Sequence, residues 1–541
     1  MIGNSKFEYF YIKFFIIILH HVAYLCLCYC AGSILFYGLT EFLSSPFSYY
    51  PILESIFFLS HFPYCNHLQR DAVFPSPGDR EERKKLVSLC HQNLPCPEDY
   101  LRQWFLGAEL TEIKRENIKD FILWAFFNRG GKPGIDDDEL NEYIDDLEMR
   151  LGRRIEKGRG NVSPLRLNLD RVNMLHRSII WYCCVGFVDF MTYCIMSYHG
   201  FNFYRTDYSN FFTNFPFRPL TLLSTRKSPV KSTAYWYREH KSKNKSPIVF
   251  FHGIGIGLYP YTSFLKELKS DLDFGLYDSD DQVGIFAIEN LHISSRLTYA
   301  PPTSKEICSR IEQILLNHFP SNQEFVFVAH SFGTATVSLL LKNEKTSHFI
   351  KSIVLIDPIP ILLHLPNVAY NFTRKTPQKA NEHQLHYFAS MDMGIAHTLG
   401  RHFFWHEVVL WKETFGNRNV TVSLSGQDLI VDTEAVGRYL TSDSSSEFRA
   451  RYSGNSYANP EKIEASFKSR DSLDGRKIIR NKEKEILNLN SGHNDEWKNR
   501  PWKGNGIDIL WFEDLDHAQV FDKKATRRIL RDAILSYCRR E

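Results

Sequence analysis

The sequence predicts an α/β chain: a mostly parallel sheet with helices on both faces, carrying a helical cap and preceded by an N-terminal helical region that anchors in a membrane. Three observations lead there. Between residues 247 and 357, short runs of β-branched and aromatic residues alternate with longer amphipathic stretches, the pattern of βαβ units. One of these runs, FVFVA, leads directly into His330, Ser331 and Gly333. Residues 14–39 contain no Asp, Glu, Lys or Arg, and about 20 apolar residues suffice to cross a bilayer.

The bulk properties narrow the class. A chain of 541 residues with 43% hydrophobic content can bury more than one ordinary domain. A net charge of +3 gives no broad basic field, so nucleic acid is not an implied partner. All of the 11 cysteines except Cys308 and Cys538 precede residue 200, several inside apolar runs, unlike a disulfide-stapled secreted domain. No pair of cysteines has zinc spacing, and neither a metal nor a cofactor is expected.

Residues 1–70 read as a membrane anchor and an interfacial segment. A cleaved signal peptide would have a shorter apolar core, so the anchor is expected to be retained. Residues 46–64 are aromatic-rich with one Glu, which suits a helix at the lipid interface. Residues 71–205 form a helical region. Within it, 98–155 has apolar residues at helical spacing, interrupted by the turn NRGGKPG. The acidic run after that turn lacks the Gly and terminal Glu of a calcium loop and is expected to open a solvated helix. Residues 178–200 are long enough to cross a membrane, but Asp189 sits among them and a mid-membrane carboxylate is costly. The expectation is a helix in the interface or packed on the catalytic part, with a second span as the alternative. Lys6 and Lys13 precede the anchor and the next Lys or Arg is Arg70, which favours a cytosolic N-terminus. A single span then puts the remainder across the membrane, and a second returns it. The expected partner of this region is the bilayer, in an endomembrane such as the endoplasmic reticulum.

A catalytic domain is expected over 219–440 and 506–541. LTLL, TAYWYRE, PIVFF, VGIFAIE, EFVFVA, IKSIVLID, NVTVSLSG and IDILWFED read as its strands. YTSFLKELKSDL, SKEICSRIEQILLNHF and residues 332–342 read as its helices. Residues 361–417, aromatic and His-rich, are expected to fold as a cap. Residues 441–505, rich in Ser, Asn, Lys, Arg and Gly, are expected to be a disordered insertion.

A serine hydroxyl is a poor nucleophile unless a base holds it. A strained strand-to-helix turn exposes it at the sheet edge, and that turn needs small residues two before and two after the serine. Around Ser331 these are Ala329 and Gly333; the Ala departs from the usual Gly but stays small. One oxyanion donor is then the N–H of Phe332. The other comes from the loop of PIVFFHGIGIG, at Gly253 or Ile254. That loop has no GKS/T and does not fit GxGxxG, so it is not a phosphate loop. Base and acid follow in chain order: Asp428 lies just past TVSLSG and His517 just past ILWFED. Asp357, ending its own strand, and Asp432 are alternative acids.

Residues 219–440 and 506–525 resemble the α/β-hydrolase fold. More narrowly, FFHGIGIGLYPY, VAHSFGT, LLHLPNVAYNFTRK, YFASMDMGIAHTLGRHFFW, GQDLIVDTEAVGRYL and WFEDLDHAQVF resemble a group of uncharacterised fungal membrane-anchored α/β-hydrolases. The resemblance implies the same fold and the triad Ser331, Asp428 and His517, and no substrate. His402 and His406 stand at zinc-compatible spacing without a third ligand, so two histidines on one face of a cap helix are expected. Phe403, Phe404 and Trp405 are candidates for an acyl-pocket wall. HAQVFD has the form H-x4-D, similar to a motif in α/β-hydrolase-fold proteins linked to lysophospholipid acyl transfer. The expected function is a membrane-anchored serine hydrolase of carboxylic esters through an acyl-enzyme, with a lipid or other ester as its substrate and partner. The alternatives are an acyltransferase with the same triad and a non-catalytic membrane scaffold.

Overall fold

A computed structural model describes residues 2–274, 281–442 and 495–539. Helices α1 (Lys6–Tyr37) and α2 (Tyr49–Leu68) pack antiparallel, with Tyr24 against Phe58 and Cys30 against Ser55. A layer of four helices follows: α3 (Arg80–Gln92), α4 (Pro97–Trp104), α5 (Arg115–Phe127) and α6 (Asp137–Leu151). Helix α7 (Ile179–Tyr198) then leads into the sheet region. There α8 (Thr262–Asp273), α9 (Ser304–Leu316) and α10 (Phe332–Lys342) alternate with strands. The cap contributes α11 (Pro366–Thr373) and α12 (Ala380–Leu385), and the chain closes with α13 (Thr433–Thr441) and α14 (Lys524–Cys538).

The strands are β1 (Asn202–Tyr204), β2 (Tyr235–Arg238), β3 (Ile248–Phe251), β4 (Ile285–Ile288), β5 (Phe325–His330), β6 (Ile350–Ile356), β7 (Asn419–Ser425) and β8 (Ile507–Phe512). They form one sheet in the order β1-β2-β4-β3-β5-β6-β7-β8. Only β1–β2 and β2–β4 are antiparallel; the six strands from β4 to β8 run parallel. This order, with β2 reversed, is the α/β-hydrolase fold. Parallel strands are buried on both faces and therefore read as unbroken apolar runs, as IVFF and FVFVAH do.

Side chains alternate across the sheet. Val249, Phe251 and Phe327 join a core that continues through Leu101, Trp124 and Ile144 of the helical layer. Ile248, Phe250 and Val328 face the other way, onto Phe264 of α8 and Leu530 of α14. The helical layer thus shares one core with the sheet.

Several expectations are corrected. The stretch from 98 to 127 is two helices, because Leu106 (φ 58°) and Gly107 (φ 88°) turn left-handed and break the ladder. LTLL is a 3₁₀ turn, and β1 forms instead through its pairing with β2. His402 and His406 do not share a helix: extended backbone at Phe403 and Phe404 separates them. The expected disordered insertion falls mostly on 443–494, outside the described residues. Its last part is packed, with Trp497 buried against Gly437 and Trp511.

Candidate active site

Ser331 follows β5 with φ 50° and ψ −121°, a conformation costly for an L-residue, at about 1–3 kcal/mol. Its N–H donates to the carbonyl of Ile356 at 2.9 Å, and Thr334 N–H donates back to its carbonyl at 2.9 Å. Helix α10 begins at once and presses on the end of β3. A Cβ on Gly333 would come within 2.5 Å of the Phe251 carbonyl, so only glycine fits there. Ala329 is fully buried between its partners Phe251 and Leu355. The strand–turn–helix is thus an elbow that leaves Ser331 at the carboxyl edge of the sheet.

The other candidates converge on the same edge because β5, β6, β7 and β8 are parallel neighbours. Ser331 Oγ lies 2.8 Å from His517 Nε2, and His517 Nδ1 lies 2.7 Å from Asp428 Oδ2. Asp428 Oδ1 accepts the N–H groups of Ile430 at 2.8 Å and Val431 at 2.9 Å, which fixes the carboxylate. Asp357 is otherwise engaged: Ser425 Oγ donates to it at 2.8 Å and Ala518 N–H at 2.8 Å. Asp432 caps α13 through the N–H of Ala435. Asp428 is the acid in contact with the imidazole.

All three side chains are nearly sealed from solvent. Burial works against the His517 imidazolium, but the Asp428 carboxylate and its hydrogen bond outweigh it, with help from Asp357 and Asp516, and the pKa rises above the ordinary imidazole value. Burial pushes the Asp428 carboxyl up, opposed by His517 and the Val431 N–H. Asp357, Asp428 and His517 offer donor atoms within 4.8 Å of one another, the one such cluster among the described residues. Asp428 already bonds to His517, and Asp357 to Ser425 and Ala518, so each carboxylate is engaged by hydrogen bonds.

The two candidate oxyanion loops meet at the elbow. The Gly253 N–H donates to Tyr261 Oη at 3.1 Å. The N–H groups of Ile254 and Phe332 have no hydrogen-bond partner among the described residues, and Phe332 opens α10, where the helix dipole favours negative charge. A Cβ on Gly253 would strike His330 Nδ1 at 2.7 Å, so glycine lets the loop approach this closely.

Three positioning groups escape a reading of the sequence. Tyr261 Oη takes the Gly253 N–H and lies 2.8 Å from His330 Nδ1, tying the oxyanion loop to the elbow. Burial pushes His330 down to about 4, so it is neutral there. Asp516 accepts from the N–H of His517 at 2.7 Å and of Leu429 at 3.1 Å, joining the acid loop to the histidine loop. Asn381 of α12 donates to its other oxygen. Asp516 neighbours His517 in sequence, but its partners come from distant segments, so spacing carries no signal.

Beside Ser331 lies an apolar cavity with about 60 Å³ of open space. Ile254 and Phe332 line it, as do Phe372 of α11 and Phe403 and Trp405 of the cap. Trp104 and Trp124 of the helical layer complete it. Phe404 instead packs on Phe74. That volume holds only a few atoms.

No protein-family model matches the chain, and no curated protein matches it. Many solved structures overlap it in part. A structure of carboxylesterases from Nitrososphaera gargenis has 11% identity, covers 57% of this chain and 96% of its own, and has a TM-score of 0.29. Naproxen esterase (carboxylesterase NP) from Bacillus subtilis has 10% identity over 56% of this chain and 87% of its own, at TM-score 0.30. A membrane phospholipase A, a bacterial virulence factor, has 8% identity over 66% of this chain and 94% of its own, at TM-score 0.32. The strand order, rather than these distant overlaps, defines the fold.

Proposed function

We propose that the chain is a membrane-anchored serine hydrolase that cleaves carboxylic esters of apolar, lipid-derived acyl groups. The observation that carries this is the continuous Ser331–His517–Asp428 contact opening on an apolar cavity. In this reading His517 Nε2 takes the hydroxyl proton as Ser331 Oγ bonds to the ester carbonyl carbon, and the carbonyl π pair moves to oxygen. The N–H groups of Ile254 and Phe332 hold that oxyanion. Its collapse breaks the bond to the alkoxy oxygen, which leaves with the proton from His517. Water then gives its proton to His517, attacks the acyl-enzyme and restores Ser331. Asp428 keeps the imidazole in the tautomer with its proton on Nδ1. The apolar helices α1 and α7, each long enough to cross a membrane, support the lipid setting.

A lysolipid hydroxyl in place of water would make the same site an acyltransferase. The H-x4-D run from His517 to Asp522 and the apolar lining of the cavity favour keeping that reading. The first test is labelling with a fluorophosphonate, in which Ser331 Oγ displaces fluoride from phosphorus. Wild type should label and Ser331→Ala should not. A folded wild type that takes no label points to a scaffold. Unlabelled wild type from the same preparation is then given p-nitrophenyl esters of increasing chain length, with and without lysophosphatidylcholine. Acyl transfer to the lysolipid exceeding hydrolysis would replace the hydrolase reading by the acyltransferase one.

A further inference from the structure

A helix that crosses a membrane alone separates what lies at its two ends. Helix α1 does not end away from the catalytic body; it begins on it. Ile2 N–H donates to Gln384 Oε1 at 3.0 Å, Asn381 N–H to Asn4 Oδ1 at 3.4 Å, and Tyr9 packs on His383 at 5.5 Å between ring centroids. Those partners belong to α12, a cap helix of sequence ANEHQL that is too polar for lipid. Further along, α1 leaves the cap and pairs with α2, which runs back to the body. There Phe57 of α2 packs on Phe215 and Tyr182, and Glu54 Oε2 caps the start of α7 by accepting the Ile179 N–H at 2.9 Å. Both ends of the α1–α2 hairpin therefore rest on the same face of the molecule.

What projects is its tip. From Cys30, level with Ser55, to the end of α1 is about 10 Å of helix, the depth at which interfacial helices sit. The tip is apolar and bare: Leu35 is 83% exposed, Phe36 86% and Phe47 80%. Its surroundings continue the surface. Phe215 leads through ring contacts to Phe217 and Phe212, and α7 exposes Phe187 and Phe190. Protein covers α1 at Ile12, Ala23 and Cys26, while apolar side chains are exposed over much of the rest. A second copy would cover one stripe of the hairpin; a lipid leaflet surrounds its projecting tip on every side.

We propose that the α1–α2 hairpin dips into one leaflet and returns, so that the chain is monotopic, and that the N-terminal end of α1 and the catalytic body share one side. This rests on the membrane-anchor part of the function proposed above but not on the triad. It replaces the arrangement in which one span carries the catalytic part across. With Lys6 and Lys13 at the near end, the shared side is the cytosolic one, whose anionic lipids attract them.

The test uses the full chain with one epitope tag before residue 1 and another after residue 541, in sealed vesicles from the expressing cells. Protease added outside should remove both tags to the same extent without detergent, and the membrane fraction should keep the protein through a sodium carbonate wash. Digestion of one tag with full protection of the other would overturn the proposal in favour of a crossing. Release by carbonate would overturn insertion itself. Fluorophosphonate labelling of the same vesicles reports the triad separately, so failure of the topology and failure of the catalytic reading are distinguishable.

Discussion

Asp357 and Asp428 stand at neighbouring strand ends, both buried, and spacing alone leaves either able to serve the histidine. Their hydrogen bonds differ. Asp357 spends its oxygens on Ser425 and Ala518, while Asp428 turns one oxygen to two backbone N–H groups and the other to His517. Neutralising Asp428 as Asn should lower kcat about 10⁴-fold, since the imidazole loses its tautomer and the stabilisation of its charged form. The pH profile should move as well. His517 must be neutral to accept the Ser331 proton, and its pKa is raised by Asp428, Asp357 and Asp516 with neutral His330 alongside. Activity should therefore fall as pH drops through a value above the ordinary imidazole value of about 6.5. In Asp428→Asn the residual activity should persist to lower pH, because a carboxylate that favours the imidazolium is gone. A profile unmoved by this substitution would exclude His517 as the titrating base. Ser331, Asp428 and His517 are legible in the sequence because each follows a recognisable strand in a parallel sheet. The occupied N–H of Gly253 is not, since it depends on where Tyr261 places its hydroxyl.

At the scale of elements, the helical layer before the sheet is part of the site. Trp104 of α4 and Trp124 of α5 pack at 5.5 Å between ring centroids with their planes tilted 59°, and line the cavity with Ser331. Trp104 is pinned by its indole N–H to the His364 carbonyl at 3.3 Å. Trp124→Ala should open the wall and raise the ratio of kcat/KM for p-nitrophenyl laurate over acetate by about tenfold, the value of one to two methylenes of burial. Truncating a buried Trp also costs about 3–5 kcal/mol of stability. The ratio of two substrates on the same preparation does not depend on how much of it is folded, so it isolates the wall from the fold. An unchanged ratio would place the acyl chain elsewhere. The periodicity of 98–127 shows that these residues are helical and buried. It does not show which element they meet, because that is set by the left-handed break at Leu106 and Gly107 and by the sheet beneath. Strand β1 is illegible for a related reason: three residues carry no period, and only pairing with β2 makes them a strand.

For the whole molecule the informative residue is Asp189, a carboxylate in the middle of an apolar helix long enough to cross a bilayer. It does not face lipid. Arg296, buried on the catalytic body, pairs with it, and Arg218 lies within 3.7 Å while also forking onto Glu289 at 2.6 and 2.8 Å. Helix α7 is thereby fastened along the sheet domain at its midpoint. A crossing helix would have to carry those arginines and their loops into the bilayer with it. Hydropathy reports the length of this segment, but its partners lie 29 and 107 residues further along the chain. Asp189→Ala should leave Arg296 buried with too little countercharge and cost about 3–5 kcal/mol, read as a large drop in the thermal unfolding midpoint of the solubilised protein. Replacing Arg296 by Met in the same chain should restore much of the loss, since two apolar side chains then occupy the site without an orphaned charge. If α7 instead stood in lipid with Asp189 facing outward, Asp189→Ala would stabilise the membrane-bound form and the Arg296→Met partner would rescue nothing.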